Sequence, residues 1–332
     1  MENHQSVLIR SAAALAMILS GPVLAQGAAD AYPSKPVSVI LPFPPGGPTE
    51  PEARLETKKI GELLGQPFIL DFKPGAATSI GANYVIKSKP DGYTLLVTAA
   101  SLTVFPAFYE NLSFDITKDL AYVSLMSKRP TALLVTASFP AKNFREYIAY
   151  VKANPGTVNM GTSGSGGVGH LAGAWIHSET NTLNMVTFVH FKGTGPVFPE
   201  LIAGRIHVHP TSLASAMPLI KAGKLRAIAI MSDERSKLLP DLPTLQEQGL
   251  APGVGYTTWQ GFAAPVATPV AIVNKLSENF ARVAKAPEVV GPLEADGAIM
   301  IGSSPEQFRQ LIVREVAAWK KVVKDTGIKL ED

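Results

Sequence analysis

Residues 36–65 read PVSVILPFPPGGPTEPEARLETKKIGELLG, and this stretch holds one complete unit of the predicted fold. The apolar, β-branched run PVSVILPF predicts a buried strand, and PEARLETKKIGELLG has the apolar spacing of a helix. Gly46 and Gly47 lie at the junction. Two glycines at that point either form a plain turn or bring backbone N–H groups up against a ligand.

The same alternation of strand and helix continues along the chain. Further strands are predicted at PFILDF, GYTLLVTA, TALLVTA, VNMGTS, VTFVHF, IHVHPT and LRAIAIMS. Most are followed by helical runs, namely SIGANYVIKSK, FREYIAYVKANPG, GHLAGAWIHSE, VFPELIAGR and ASAMPLIKAGK, and two longer helical runs follow near the C-terminus. This order is typical of an α/β fold with parallel sheets and helices on both faces. The length of 332 residues suits two domains, with crossings expected near 128–131 and 249–256.

Composition excludes several classes of protein. The 30 basic and 27 acidic residues give a net charge of +3 without a basic block, so nucleic acid is not an expected partner. There are no cysteines, which excludes disulfides, thiolate metal sites and a cysteine nucleophile. Arg10 followed by SAAALAMILSGPVLA predicts a signal peptide over 1–25, cleaved near Ala25. The remaining chain is therefore expected to be exported.

Three glycine-containing junctions are candidate ligand sites, because ligands of open α/β sheets bind beyond the carboxyl ends of strands. They are PPGGPTE (44–50), GTSGSGGVGH (161–170) and FKGTGP (191–196). At the first, Thr49 and Glu52 fit a capping box that closes the helix behind Gly46 and Gly47. Glu50 and Glu52 add negative charge there, which favours a ligand edge or a water over a bare anion.

The second junction is the stronger anion site. It combines hydroxyl groups with glycine N–H groups and has no acidic residue before Glu179; the hydroxyls are those of Thr162, Ser163 and Ser165, and the glycines are Gly164, Gly166 and Gly167. His170, at the start of the next helix, is expected near the ligand. At the third junction Lys192 lies beside Gly193, and Thr194 is the predicted N-cap.

Enzymatic alternatives have less support in the sequence. Gly164-x-Gly166-x-x-Gly169 has the spacing of a dinucleotide fingerprint, which would indicate an exported NAD(P)-dependent oxidoreductase. However, the next strand ends in His190-Phe191-Lys192 where an acidic residue should meet the ribose. A Gly-x-Ser-x-Gly nucleophile motif is not met at the serines of this loop, and the histidines lack metal-site spacing. No catalytic residue, metal or cofactor is therefore predicted.

Several of these segments together resemble one known family. They are PFPPGGPTE…ARL, KPDGYTLLVTA, GTSGSGGVGHLAGAW, FKGTGPVFPELIAGRI, AGKLRAIAIMSDERSKLLPDLPTLQEQG and WQGFAAPVATP. In this order they resemble the Bug family, the TctC-like periplasmic solute receptors of tripartite tricarboxylate transporters. The resemblance covers essentially the whole mature chain, and the LRAIAI…R…LPDLPT block is its most specific part.

The resemblance implies a type II periplasmic binding protein with two doubly wound α/β lobes and a ligand cleft between them. Residues 32–130 and 256–332 would form lobe 1, and residues 131–255 would form lobe 2. Such a receptor would be a monomer that closes on a small organic acid and delivers it to a membrane permease. An aromatic or dicarboxylic acid is favoured over an amino acid, because the site has few carboxylates to pair with an ammonium. A receptor used for sensing stays an alternative.

Matching positions carry the ligand-binding residues over from the family. In lobe 1 these are Phe43, Gly46, Gly47, Thr49, Glu50, Thr98 and Ser101; in lobe 2 they are Ser163, Gly164, Ser165, Gly166, His170, Lys192, Gly193, Thr194, His209, Thr211 and Ser212. The chain departs from the family pattern at Glu50, where Asp is usual. It also departs at His207 and Thr211, where acidic residues are usual. His209 would add a hydrogen-bond donor.

Overall fold

The computed structural model describes residues 31–47, 49–75, 78–109, 113–250 and 256–330. The predicted signal peptide and most of the second predicted crossing segment lie outside these ranges. Within them, no helix combines the length and the apolar character needed to cross a bilayer.

Ten strands and ten α-helices occur in the described ranges. The strands are β1 (Val37–Leu41), β2 (Phe68–Phe72), β3 (Thr94–Ala99), β4 (Leu120–Thr136), β5 (Val158–Thr162), β6 (Val186–His190), β7 (Val208–Ser212), β8 (Leu225–Ile230), β9 (Thr257–Pro265) and β10 (Ile299–Met300). The helices are α1 (Thr49–Leu64), α2 (Ser79–Ile86), α3 (Ser101–Val104), α4 (Phe144–Ala153), α5 (Val168–Glu179), α6 (Val197–Ile202), α7 (Leu213–Lys221), α8 (Val270–Val283), α9 (Pro287–Ala295) and α10 (Pro305–Thr326).

The strands form two connected sheets. The first has the order β2-β1-β3-β9-β4, and β10 pairs with the other edge of β4. In the second sheet β4 lies between β8 and β7, and the order continues from β7 through β5 to β6. β1, β2 and β3 are mutually parallel, as are β5, β6 and β7, but β9 and β4 are antiparallel to their neighbours. The prediction of parallel sheets is therefore corrected to mixed sheets.

β4 belongs to both sheets. Its residues up to Pro130 pair with β9, and from Thr131 onward they pair with β7 and β8. Pro130 lies opposite Thr257, the first residue of β9, so the two strands run side by side up to the point of crossing. The crossing predicted near residues 128–131 is found there.

Helices cover both faces of each sheet, as predicted. On the first sheet, α1, α8 and α9 pack on one face and α2, α3 and α10 on the other. On the second, α4 and α5 cover one face and α6 and α7 the other. α10 contributes Phe308 to the core of the first sheet, whereas Trp319 and Val322 join the core of the second. The last helix therefore packs against both sheets.

Candidate ligand-binding site

The first glycine loop is hydrogen-bonded to the helix that follows it. Gly46 has a φ of +79°, which requires glycine, and its N–H donates to Glu50 Oε2 at 2.7 Å. Glu50 also accepts a 2.7 Å bond from Arg54 Nε. The bond from the Gly46 N–H is the main cause, and Arg54 the second, of a lowered pKa at Glu50. The amide of Gly46 is thus hydrogen-bonded within the protein, and the contact of Gly46 with a ligand stays a prediction.

The predicted capping box is also wrong. α1 begins at Thr49, but the side chain of Glu52 turns inward and not back to the start of its own helix. Its carboxylate accepts hydrogen bonds from Ser127 and Arg129 on β4, and Glu52 is only 1% exposed. Glu52 therefore connects the helix behind the glycine loop to the strand that crosses between the sheets.

The loop after β5 is tied to the loop after β6. The Gly193 N–H donates to the carbonyl of Ser163 at 3.1 Å, and Gly164, with a φ of +154°, lies beside the Phe191 carbonyl. Ser163, Gly164 and Ser165 are half-buried at the carboxyl end of β5. Two of the three predicted glycine junctions therefore form one continuous surface.

His170 is buried beneath this surface and is hydrogen-bonded to the loop after β5. The Gly166 N–H donates to His170 Nδ1 at 3.1 Å, so the proton of the neutral ring is on Nε2. Burial, followed by the neighbouring His190, lowers the pKa of His170 to about 4. The two imidazole rings lie 4.4 Å apart, and His190 Nδ1 is 2.6 Å from Thr162 Oγ1. Site prediction from the sequence omitted His190, although its position at the end of β6 was a usable signal.

Gly166 has a packing role. A side chain at this position would overlap Leu330 and meet Phe108, and its φ of +66° favours glycine. Its N–H is bonded to His170, and the space next to its Cα is filled by the side chains of Leu330 and Phe108. This geometry does not support a ligand contact at Gly166, which stays a prediction.

The third loop differs from its predicted form. α6 begins at Val197 with Pro196 as its N-cap, so Thr194 is not the cap; the carbonyl of Thr194 accepts from the Val197 N–H. Lys192 is exposed, and a side chain at Gly193 would meet open space. This loop therefore leaves an accessible cation next to the loop after β5.

On β7, His209 is part of the interior. Its Nδ1–H donates to the Gly161 carbonyl at 2.8 Å, its ring lies 6.1 Å from that of Phe198, and the residue is fully buried. Burial lowers its pKa to about 4. His209 is thus neutral with its proton on Nδ1, and its buried Nε2 has no partner among the described residues, so its contact with a ligand stays a prediction. Thr211 is buried, and Ser212 is half-buried as the N-cap of α7.

The carboxyl end of β3 contains two buried hydroxyl groups without a protein partner. Thr98 Oγ1 and Ser101 Oγ are inaccessible and make no hydrogen bond to the described residues. A buried polar atom without a partner costs about 1–3 kcal/mol, so such groups normally meet a water or a ligand. These two atoms therefore mark a polar position that protein atoms leave unfilled.

The carboxyl ends of β3 and β5 lie against each other. Val168, the first residue of α5, packs against the core clusters of both sheets. Phe108, which follows α3, reaches Gly166 in the loop after β5. The hydroxyls of Thr98 and Ser101 thus belong to the region where the edges of the two sheets meet. Among the described residues, no cluster of three or more histidine or acidic side chains is suited to hold a metal ion.

This arrangement of two mixed α/β sheets joined by crossing strands, with loops at the carboxyl ends between them, is that of periplasmic solute-binding proteins. The family model described as "Tripartite tricarboxylate transporter family receptor" (TctC) matches residues 53–328. The chain belongs to this family, as its sequence motifs predict.

Individual relatives align with this chain over nearly their full length. Protein BugT of Bordetella pertussis is 31% identical over 316 residues, which cover 95% of this chain and 96% of BugT. A Rhodopseudomonas palustris protein solved with adipate is 31% identical, with a TM-score of 0.75 over 90% of this chain and 100% of that chain. MatC from the same organism, solved with malate, is also 31% identical, with a TM-score of 0.71 over 88% of this chain and 100% of that chain.

Proposed function

We propose that this protein is a periplasmic receptor that captures a small organic acid between the carboxyl edges of its two sheets. The observation that carries the proposal is the pair of buried, unpartnered hydroxyls of Thr98 and Ser101 at the meeting point of these edges. A carboxylate would accept hydrogen bonds from both groups. The adipate and malate in two related structures support this class of ligand.

The surroundings favour an anion. His170 can donate from Nε2, and Lys192 adds a positive charge at the neighbouring loop. At the first glycine loop, the carboxylate of Glu50 is held by Gly46 and Arg54. A ligand carboxylate would therefore meet donors from several elements and no uncompensated negative charge from these loops.

Ligand capture would proceed by closure of two lobes about the crossing strands. Lobe 1 would comprise residues 32–130 and 256–332, and lobe 2 residues 131–255, with the pivot next to the Pro130–Thr257 pair. A membrane permease of the tripartite type would then recognise the closed monomer. In this proposal no bond is made or broken, and no cofactor is needed.

The dinucleotide alternative has little support from the geometry. In a dinucleotide fingerprint the second glycine leaves room for the pyrophosphate. Here the corresponding space at Gly166 is taken by Leu330, and Gly169 packs against Pro210 and the hydroxyl of Tyr256. The loop sequence is explained by packing within the protein.

A thermal-shift and calorimetric screen of residues 26–332 would test the proposal. The panel contains aliphatic dicarboxylates including adipate and malate, aromatic acids, amino acids and NAD(P). An acid at 100 times its Kd should stabilise the protein by about 2.7 kcal/mol and should be recovered unchanged. Stabilisation by NAD(P) alone, or conversion of a bound acid, would contradict the proposal.

Replacing Thr98 by Val should separate binding from stability. Without ligand we expect Thr98→Val to be as stable as the wild type or more stable by about 1 kcal/mol, because a buried hydroxyl without a partner is removed. The Kd of the best acid from the screen should rise about tenfold or more, which calorimetry measures.

Thr268→Val is the matched control. Thr268 also has a buried hydroxyl without a partner among the described residues, but it lies in the turn between β9 and α8. We expect the same effect on unfolding and an unchanged Kd. Equal affinities of the two variants would exclude Thr98 from the ligand site.

A further inference from the structure

Glu315 is a half-buried acidic residue outside the loops described above. It lies on α10, and its carboxyl group accepts a 2.8 Å hydrogen bond from Thr103 Oγ1 and bonds of 3.0 and 3.1 Å from Trp259 Nε1. Thr103 belongs to α3, and Trp259 belongs to β9. One side chain thus connects the last helix, the short helix after β3 and a crossing strand.

Both partners of Glu315 are linked to the candidate site. α3 begins with Ser101, whose buried hydroxyl has no partner among the described residues, so the position of α3 sets the position of that group. Trp259 lies opposite Lys128, close to the point where β4 leaves the first sheet. Glu315 therefore touches the element that carries a candidate ligand donor and the strand next to the proposed pivot.

We propose that Glu315 is a positioning residue of the ligand site, which holds α3 and Ser101 against β9 and weakens the capture of a carboxylate when it ionises. This inference rests on the proposed function. Ionised Glu315 would place a negative charge behind the helix that offers Ser101 to the anion. Neutral Glu315 keeps the same framework without that repulsion.

The charge on Glu315 is expected to change near neutral pH. Burial raises its pKa to about 7, and the hydrogen bonds from Thr103 and Trp259 oppose this rise only in part. The charged groups that act on it are Arg314 on its own helix and Lys128 on β4, and both lower the pKa. α3 and β9 contribute the uncharged Thr103 and Trp259, and the first turn of α5 contributes Val168 to the adjoining core.

The direction of the effect follows from these charges. Below pH 6 most Glu315 is neutral, and above pH 8 most of it is ionised. We therefore expect the Kd of an acid whose carboxyl groups are all ionised at pH 6 and above to rise about fivefold between pH 6 and pH 8.5. His170 and His209, with pKa values near 4, stay neutral over this range and do not contribute.

Calorimetric titration of wild type and Glu315→Gln with the acid selected by the screen, at pH 6 and pH 8.5, tests the inference. Gln keeps an acceptor for Trp259 and a donor for Thr103, whose hydroxyl also lies 2.9 Å from the carbonyl of Ala100. In Glu315→Gln we expect the Kd at pH 8.5 to match the wild-type value at pH 6. Glu306→Gln, on the exposed side of α10, is the control and should keep the wild-type pH profile.

The indole N–H of Trp259 gives a readout that needs no ligand. Its NMR resonance, assigned with Trp259→Phe, should titrate with a midpoint near pH 7 in the wild type and should not titrate in Glu315→Gln. Absence of this titration, or an equal pH dependence of Kd in wild type and Glu315→Gln, would overturn the inference and leave the proposed function standing. If no acid binds at any pH, the proposed function fails and the inference fails with it.

Discussion

Arg129→Ala should lower the free energy of unfolding by about 3–5 kcal/mol at pH 7, the largest loss expected from a single charge in this protein. Arg129 bonds to Glu52, which is 1% exposed, and Glu56 lies next to it in the interior. Burial, and then the charge of Glu52, raises the pKa of Glu56 well above its usual range. Without Arg129 the buried Glu52 carboxylate loses its counter-charge.

Chemical denaturation of two further variants would make this result specific. Arg235→Ala removes an exposed arginine paired with Glu247 and should cost less than about 1 kcal/mol. The double variant Glu52→Gln/Arg129→Ala should regain much of the loss, because no buried charge is then left unpaired. If Arg129→Ala costs no more than Arg235→Ala, the buried pair makes no special contribution.

Trp319→Ala is expected to cost about 3–5 kcal/mol, the usual result of removing a large side chain from a core. Trp319 is 2% exposed and lies on the half of α10 that packs into the core of the second sheet, together with Trp175 and Leu171. Because the first half of α10 belongs to the core of the first sheet, the variant should also loosen the contact between the helix and both sheets.

Trp319→Phe should lower the free energy of unfolding far less than Trp319→Ala, although it also makes the side chain smaller. The Trp319 Nε1–H is buried without an acceptor among the described residues, which costs about 1–3 kcal/mol, and Phe removes that group along with some apolar area. We expect a net change within about 1 kcal/mol in urea denaturation. A loss in Trp319→Phe as large as in Trp319→Ala would mean that the indole N–H is bonded in solution.

Much of the fold is predictable because local patterns decide it. The unit of β1, glycine loop and α1 occurs as predicted, since a continuous apolar run followed by helical spacing leaves little choice at either element. β5 and α5 also occur as predicted, for the same reason. The positions of the candidate ligand loops at the carboxyl ends of strands were predictable for the same reason, because they depend only on the order of strand and helix.

The two crossing strands were less predictable. The sequence of β4 contains Lys128-Arg129-Pro130, which indicates a break, yet the strand continues because Glu52 satisfies Arg129 in the interior and Pro130 lies where the pairing changes sheets. β9 contains Gly261, which usually weakens a strand. Here the Ser124 carbonyl and the ring of Phe308 leave no room for a side chain. These reasons depend on residues that are distant in sequence.

The same limit applies to the site. Glu50, His209 and Gly166 have the residue types of ligand contacts, but each is bonded or packed within the protein. The side chain that fills the space at Gly166 is that of Leu330, and α3 is hydrogen-bonded through Thr103 to Glu315. Both partners are distant in sequence. Local sequence identified which loops to inspect, whereas tertiary partners decide which groups in those loops remain available.

The position of β9 between β3 and β4 has a consequence for biosynthesis. Leu96 in β3 pairs with Ala263, so every strand of the second sheet leaves the ribosome before the first sheet can be completed. At about 5–20 residues per second, the apolar edge of β3 waits on the order of ten seconds or more for its partner. During that interval one edge of β3 has no partner, so the order of the strands delays completion of the first sheet until β9 has been synthesised.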